Sequence, residues 1–351
     1  MRKDHIAQNS NGSDPVIPEL GIVKRINGGE PILSREMVPY DAECIFNAGV
    51  TFYKGEFIMV FRNDHEFDGK GSFARCDLGV ARSCDGIHFE VAEKPFLSAV
   101  DFHDPEIRRV YDPRLTVIED ELFMCFAIDT RHGVCGGIAR ILDFYSDSLD
   151  EKLEILNITT PDNRNMVLFP GKIGGRYVRL ERPFPVYSRG KDRFDIWMSY
   201  SYDLRYWGDS KLLLSVEDVP FANDKIGPGA PPLLTDKGWL VVFHAVERDD
   251  TRGKNGWEDR WTKRYYAGAM LLDTEDPSRV LGVTKKPILS TMTDYELNKG
   301  YRTHVVFPGG FLPYRDDPAN ALIYYGASDT VECAARVNIE ELVRTCEGEF
   351  F

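Results

Sequence analysis

A strand-like run that enters an Asp-centred turn and leaves on an aromatic residue recurs in this chain. Gly79-Val80-Ala81-Arg82-Ser83-Cys84-Asp85-Gly86-Ile87-His88-Phe89 is one copy, and Ser199-Tyr200-Ser201-Tyr202-Asp203-Leu204-Arg205-Tyr206-Trp207 is a second. A looser third spans residues 139–145, where Phe144 follows Asp143. An Asp at such a turn bonds its own backbone, and the aromatic side chain is placed to plug the gap between neighbouring units. Self-similarity of this kind in a strand-rich chain is the mark of radially repeated blades. At about 60–70 residues per unit, a little above usual blade lengths, 351 residues give five blades.

The remaining pattern agrees. Residues 44–53 and 57–62 read as a hairpin around Lys54-Gly55-Glu56; 114–118 and 121–128 form another, and 233–235 and 239–244 a third. Short strands punctuated by turn residues suggest a sandwich, barrel or propeller. Only residues 338–345 read as a helix, which argues against an α/β design. Residues 1–16, rich in Asn, Ser and Asp, read as a flexible arm. Residues 17–351 read as a single all-β unit, a five-bladed β-propeller with a short C-terminal helix.

Charge narrows the function. Asp and Glu outnumber Lys and Arg by 56 to 43, a net charge of −13. A nucleic-acid binder carries a basic face, and an anionic membrane surface repels an acidic chain. Neither partner is expected, yet a few cations can still converge on a small anion in one pocket. The seven cysteines, Cys44, Cys76, Cys84, Cys125, Cys135, Cys333 and Cys346, are scattered, odd in number and without a CxxC pair. That pattern suits free thiols in a reducing compartment and argues against zinc. The polar N-terminus has no signal-peptide core, and no run approaches the roughly 18 apolar residues of a membrane span. A cytoplasmic location follows as the expectation. The high aromatic content, 12%, serves strands and core first and sugar stacking second.

Propeller loops converge on one end of a central channel, so distant polar residues can meet. Five stretches stand out. In Tyr111-Asp112-Pro113-Arg114, proline should hold Asp112 extended and present a carboxylate stiffly at a strand start, although an Asp-Pro turn with a local ion pair reads as well. Asn163-Arg164-Asn165 and Glu181-Arg182-Pro183 each set beside a strand an Arg fork suited to phosphate or carboxylate; for each alone, a surface or ion-pair residue is the plainer reading. Residues 225–232, Lys-Ile-Gly-Pro-Gly-Ala-Pro-Pro, read as a rigid loop presenting Lys225, without the ending of a phosphate-binding P-loop, and His244 ends the strand that follows. Asn47, in Phe46-Asn47-Ala48-Gly49, and Arg62 across the hairpin suit sugar hydroxyls; a bulge built on Gly49 is the plainer reading.

Taken in order, the stretches FNAG, ARSCDGIHF, YDPRLT, NRNMVLFPGKI, ERP, SYDLRYW, KIGPGAPPLLTDKGWLVVFHAV, VVFPGG and YYGASD resemble glycoside hydrolase family 130 from about residue 46 to 329. The resemblance implies a five-bladed propeller acting on β-mannosides. Most members are inverting phosphorylases that release α-mannose 1-phosphate, and a subset hydrolyses β-1,2-mannosides. It also implies roles: Asp112 as proton donor, working through the 3-hydroxyl of the mannosyl unit; Arg164, Arg182, Lys225 and His244 as the phosphate set; Asn47, Arg62, Arg114 and Asp329 lining the mannosyl site. No cofactor or metal is implied, since inorganic phosphate is the co-substrate, and a homo-oligomer is in keeping with relatives.

The residue types fit that chemistry. An inverting hydrolase needs an acid and a base to activate water. Phosphate is already anionic and needs cations that hold it in line. Relatives that hydrolyse replace phosphate-binding cations with Glu, whereas Arg182 and Lys225 are retained here. Glu181 stands where relatives often carry His or Ser. Acceptors open at this stage are glucose, mannose, mannooligosaccharides and N-acetylglucosamine, with a leaning towards β-1,4-mannosyl-glucose or mannooligosaccharides. The alternatives are a β-1,2- or β-1,4-mannoside hydrolase with Glu181 or Glu247 as base, and a non-catalytic glycan-binding propeller.

Overall fold

The computed structural model describes residues 16–184, 194–248 and 262–346. Five antiparallel sheets stand around a central channel, each built on a meander of four strands. The innermost strands are Cys44–Tyr53 in blade I, Ile107–Ile118 in blade II, Asn163–Leu168 in blade III, Lys225–Pro228 in blade IV and Val306–Tyr314 in blade V. Blade V takes its outer strand, Val23–Arg25, from the start of the chain, paired antiparallel to Val331–Asn338. That pairing closes the ring without leaving a free junction. The expected arm at 1–16 lies outside the described residues up to position 15. Val16 and Ile17 already pack against core side chains.

Burial explains the ring. Strand residues alternate faces, and each sheet is apolar on both sides. A large apolar cluster fills each junction: Ile58, Val80 and Met124 between blades I and II; Phe123 and Met166 between II and III; Leu180 and Val241 between III and IV; Val242 and Ile323 between IV and V; Phe57 and Tyr324 between V and I.

The turn that repeats in the sequence repeats in every blade. Asp85 Oδ1 accepts from the Ile87 and His88 N–H groups at 2.8 and 2.9 Å. Asp143 takes Tyr145 at 3.0 Å, and Asp203 takes Arg205 and Tyr206 at 2.9 and 3.0 Å. Asp273 and Asn338 fill the same place in blades IV and V, and Asn338 starts the helix Ile339–Cys346. These last two carry no following aromatic residue, which hid them in the sequence. Where the aromatic is present it bridges blades: Phe89 lies edge-on to Tyr324 at 6.2 Å and Phe144 meets Phe96 at 5.1 Å.

A second repeat lies at the channel. The inner strands of blades I, II, III and V bulge, at Asn47-Ala48, Asp112-Pro113, Asn165-Met166 and Gly309, and in blade IV the N–H groups of Gly229 and Ala230, just past Lys225–Pro228, share the Val242 carbonyl. Bulges re-aim side chains. Asn47, Asp112 and Asn165 have φ of 54°, 53° and 58°, a region non-glycine residues enter when their surroundings force them. Asp112 is therefore not extended and does not start a strand. The bulge outweighs the preference imposed by Pro113. Residues 225–228 are likewise a strand rather than part of a loop, because Lys225 to Pro228 pair with Val246 to Phe243. His244 sits inside the strand Gly238–Arg248, not at its end. Gly49 matches the plainer reading of its stretch: a Cβ there would stand 2.8 Å from Arg114 Cα, so the bulge packs backbone on backbone. No helix among the described residues is long and apolar enough to cross a membrane, and all seven cysteines are free thiols.

Candidate active site

The bulges of blades I and II bring Asn47 and Asp112 together: Asn47 Nδ2 donates to Asp112 Oδ1 at 2.9 Å. Arg62 Nη1 pairs with the same oxygen at 3.2 Å. Arg62 is held from behind, its Nε and Nη2 forked onto Asp64 at 2.9 and 2.6 Å, and its guanidinium lies over the Phe46 and Tyr111 rings at 4.5 and 4.9 Å. Arg109 Nη2 also reaches Asp64, at 2.9 Å. Burial opposes the Asp112 charge, but Arg62, Arg114 and Arg164 with the Asn47 amide outweigh it and hold the carboxyl below the usual carboxylate range. Asp329, from the blade V hairpin, is tied to Arg302 at 3.3 Å. Burial, helped by the charge on Asp112, raises it above that range against Arg302 and Arg62.

Across the channel stand the cations of blades III and IV. Arg182 Nη1 donates to His244 Nε2 at 3.1 Å, so the imidazole is neutral with its lone pair turned to the guanidinium. Burial, then Arg182 and Lys225, keep His244 well below its ordinary value. Gly227 permits the contact, since a Cβ there would lie 2.4 Å from His244 Cε1 and 3.0 Å from Arg182 Cδ. Burial and neighbouring Arg164 pull Arg182 down to about 9. Burial, Arg182, Lys263 and Arg164 push Lys225 well below the ordinary lysine value. Arg164 Nη1 donates to the Tyr111 hydroxyl at 3.2 Å, and that hydroxyl donates to Asp129 at 2.6 Å. No carboxylate among the described residues lies in ion-pair contact with Arg164, Arg182 or Lys225. Arg164 lowers Arg182, and both lower Lys225, while Arg164 itself is raised by Tyr111 and Asp112 against its burial; Arg62 and Arg109, by contrast, share Asp64.

Arg114 is placed differently from the rest of the expected mannosyl set. It is 2% exposed, its Nε and Nη1 donate to the carbonyls of Gly229, Asn47 and Pro113, and its Nη2 is buried without a partner. It ties the bulges of blades I and II to Gly229 of blade IV beneath the site.

A sequence model of glycoside hydrolase family 130, described as β-1,4-mannooligosaccharide phosphorylase, matches residues 16–348. The chain belongs to glycoside hydrolase family 130. It is accordingly an enzyme. A β-1,2-mannobiose phosphorylase of Listeria innocua is 35% identical over 78% of this chain and 69% of its own length. A β-1,4-mannooligosaccharide phosphorylase of Ruminococcus albus is 31% identical over 89% and 88%. The solved structure of the Listeria innocua β-1,2-mannobiose phosphorylase with β-1,2-mannobiose superposes with a TM-score of 0.75 at 26% identity, covering 92% of this chain and 99% of that one.

Within the family frame, the two candidate hydrolytic bases can be located. Glu181 neighbours Arg182 in the strand Tyr177–Pro183 and so takes the other face. There it binds Arg179 at 2.8 Å and Asn163 at 2.7 Å. Glu247 is three positions past His244 and also on the opposite strand face, accepting from the Tyr266 hydroxyl at 3.0 Å. Sequence reasoning missed Asp64, Tyr111 and Tyr265, whose ring lies 5.4 Å from Lys225 Nζ and 6.1 Å from the His244 ring. It also passed over Asn165, whose Oδ1 is buried and unpartnered at the bulge level. The one signal for Asn165 was alignable: Phe-Asn-Ala-Gly-Val, Tyr-Asp-Pro-Arg-Leu and Arg-Asn-Met-Val-Leu place an Asn or Asp three residues before an aliphatic one.

Proposed function

We propose that this enzyme phosphorolyses β-mannosides with inversion, releasing α-mannose 1-phosphate. The observation that carries the reading is the trio of buried Arg182 and half-buried Arg164 and Lys225, without carboxylate partners among the described residues, opposite the acid Asp112. Holding unneutralised cations in a low dielectric is costly, and an incoming phosphate dianion offsets that cost. Asn47, Arg62 and Asp329 hold the mannosyl unit. A phosphate oxygen attacks the anomeric carbon from the cationic side, forming the C1–O–P bond. The C1–O bond to the acceptor sugar breaks, and its oxygen takes the proton supplied by Asp112. His244 steadies Arg182 from behind, and Tyr111 steadies Arg164. No base is required, because the nucleophile arrives as an anion.

The depressed Asp112 titration fits this cycle. A free site with three nearby guanidinium groups keeps the carboxyl ionised and idle. Phosphate at Arg164, Arg182 and Lys225 neutralises Arg164, one of those three guanidinium groups, and adds negative charge facing Asp112, which raises the carboxyl and lets it take up its proton. The acid is then charged only when its nucleophile is in place.

For linkage, the Listeria innocua relative supports β-1,2-mannobiose as the first substrate to try. β-1,4-Mannooligosaccharides and β-1,4-mannosyl-glucose come next. The test incubates each with and without phosphate and follows mannose 1-phosphate. Product that requires phosphate supports the reading; free mannose at equal rates without phosphate would replace it with hydrolysis.

A further inference from the structure

The peptide joining Asn47 to Ala48 is gripped at both ends. Its carbonyl accepts from Arg114 Nη1 at 3.1 Å, and its N–H donates to Glu332 Oε2 at 3.1 Å. The two side chains are 2% and 0% exposed and arrive from different blades, Arg114 from blade II and Glu332 from the strand Val331–Asn338 of blade V. This peptide is the bulge that turns Asn47 to φ 54° and aims its amide at Asp112. Glu332 itself is anchored: its N–H donates to Leu33 O at 3.0 Å, and its carbonyl accepts from Ile32 at 2.9 Å. Gly326, the cross-strand partner of Glu332, leaves the room required, since a Cβ there would stand 2.8 Å from Asn47 N.

We propose that Glu332 is a positioning residue for the acid: with Arg114 it fixes the Asn47–Ala48 peptide, so that the Asn47 amide stays on Asp112 through turnover. The inference rests on Asp112 being the proton donor. Burial raises the Glu332 carboxyl well above the ordinary carboxylate range, against the Ala48 N–H and Arg114. What the side chain contributes to the bulge is one acceptor oxygen on the Ala48 N–H. An amide supplies the same acceptor in the same shape. A buried peptide N–H left without its partner favours rotation of the bulge, and small misplacements at a reacting centre are expensive.

The test compares Glu332→Met, which fills the volume without an acceptor, with Glu332→Gln, which keeps it. Phosphorolysis by the unaltered enzyme and its loss in Asp112→Asn first establish the reading on which the inference depends. Glu332→Met is then expected to lower kcat by about 10- to 100-fold, with KM for phosphate within about twofold, because the cationic trio is untouched. Glu332→Gln is expected to stay within about twofold of the unaltered kcat, since it retains the acceptor whose loss does the damage. Combined with Asn47→Ala, Glu332→Met should add little further loss, because both act on one contact. A normal kcat in Glu332→Met, a large loss in Glu332→Gln, or multiplicative losses in the double variant would overturn the proposal. Should Glu332→Met not fold, Glu332→Gln and its combination with Asn47→Ala carry the test.

Discussion

At the scale of residues, the site is a division of charge. Asp112 has its charged partner in Arg62, whereas Arg164, Arg182 and Lys225 have no carboxylate partner among the described residues. Asp112→Asn keeps the shape and removes the proton. Since general acid catalysis contributes typically 10²- to 10⁴-fold, kcat for an unactivated mannoside should fall by about that factor in initial-rate assays. Arg182 is predicted to trade stability for function. Burial and Arg164 already work against its charge. Arg182→Met should therefore raise Tm in phosphate-free buffer, by about 2 °C for a gain of about 1 kcal/mol. Phosphate should raise the Tm of the unaltered protein by mass action and leave that of Arg182→Met almost unmoved. Scanning calorimetry with and without phosphate checks both halves. The titration of Asp112 gives a third expectation. Its folded value lies below the ordinary one, and phosphate moves it up. Binding phosphate at mildly acidic pH should therefore take up protons, in addition to any uptake by phosphate itself. Calorimetry in buffers of different ionisation enthalpy should show the uptake fall in Asp112→Asn.

At the scale of elements, the closing strand does more than complete a sheet. Arg25 forks onto Glu296 at 3.0 and 3.2 Å, reaches Glu19 at 3.2 Å and meets the Ser290 carbonyl. Glu296 is fully buried and also takes the Tyr325 hydroxyl at 2.9 Å. The short helix Asp294–Leu297 leads to Arg302, the partner of Asp329. Removing Arg25 strands a buried carboxylate, which costs about 3–5 kcal/mol. Arg25→Ala should lose that much in a denaturant titration and raise KM for the mannoside more than for phosphate. Much of this level was open to sequence reasoning. Hairpins and Asp-centred turns are local, written in Gly, Asp and alternating apolar residues, and so the blades at Asp85 and Asp203 could be found. The closing strand was not legible, because Val23–Arg25 is three residues long and its partner lies at the other end of the chain. The bulges were not either: φ at Asp112 is decided by the neighbouring blades, and the rule for residues before proline pointed the wrong way.

At the scale of the molecule, ring closure is what makes a site from the tips of five sheets. The positions of Asn47, Asp112, Arg164, Arg182, Lys225 and His244 in the sequence give no hint of distance, and a family resemblance was needed to group them. Their electrostatics could not be read at all. That Glu181 turns away to Arg179 while its neighbour Arg182 turns to His244 follows from strand alternation once the strand is known. Which face looks into the channel follows only from the ring. The whole arrangement makes an external anion the missing partner of the cations, and the sharpest test is the initial rate of β-mannoside cleavage as phosphate is lowered to zero. The account predicts a rate that extrapolates to zero, with α-mannose 1-phosphate equal to the acceptor sugar released at every concentration. A rate that levels off at a finite value without phosphate, with free mannose as the product, would contradict it.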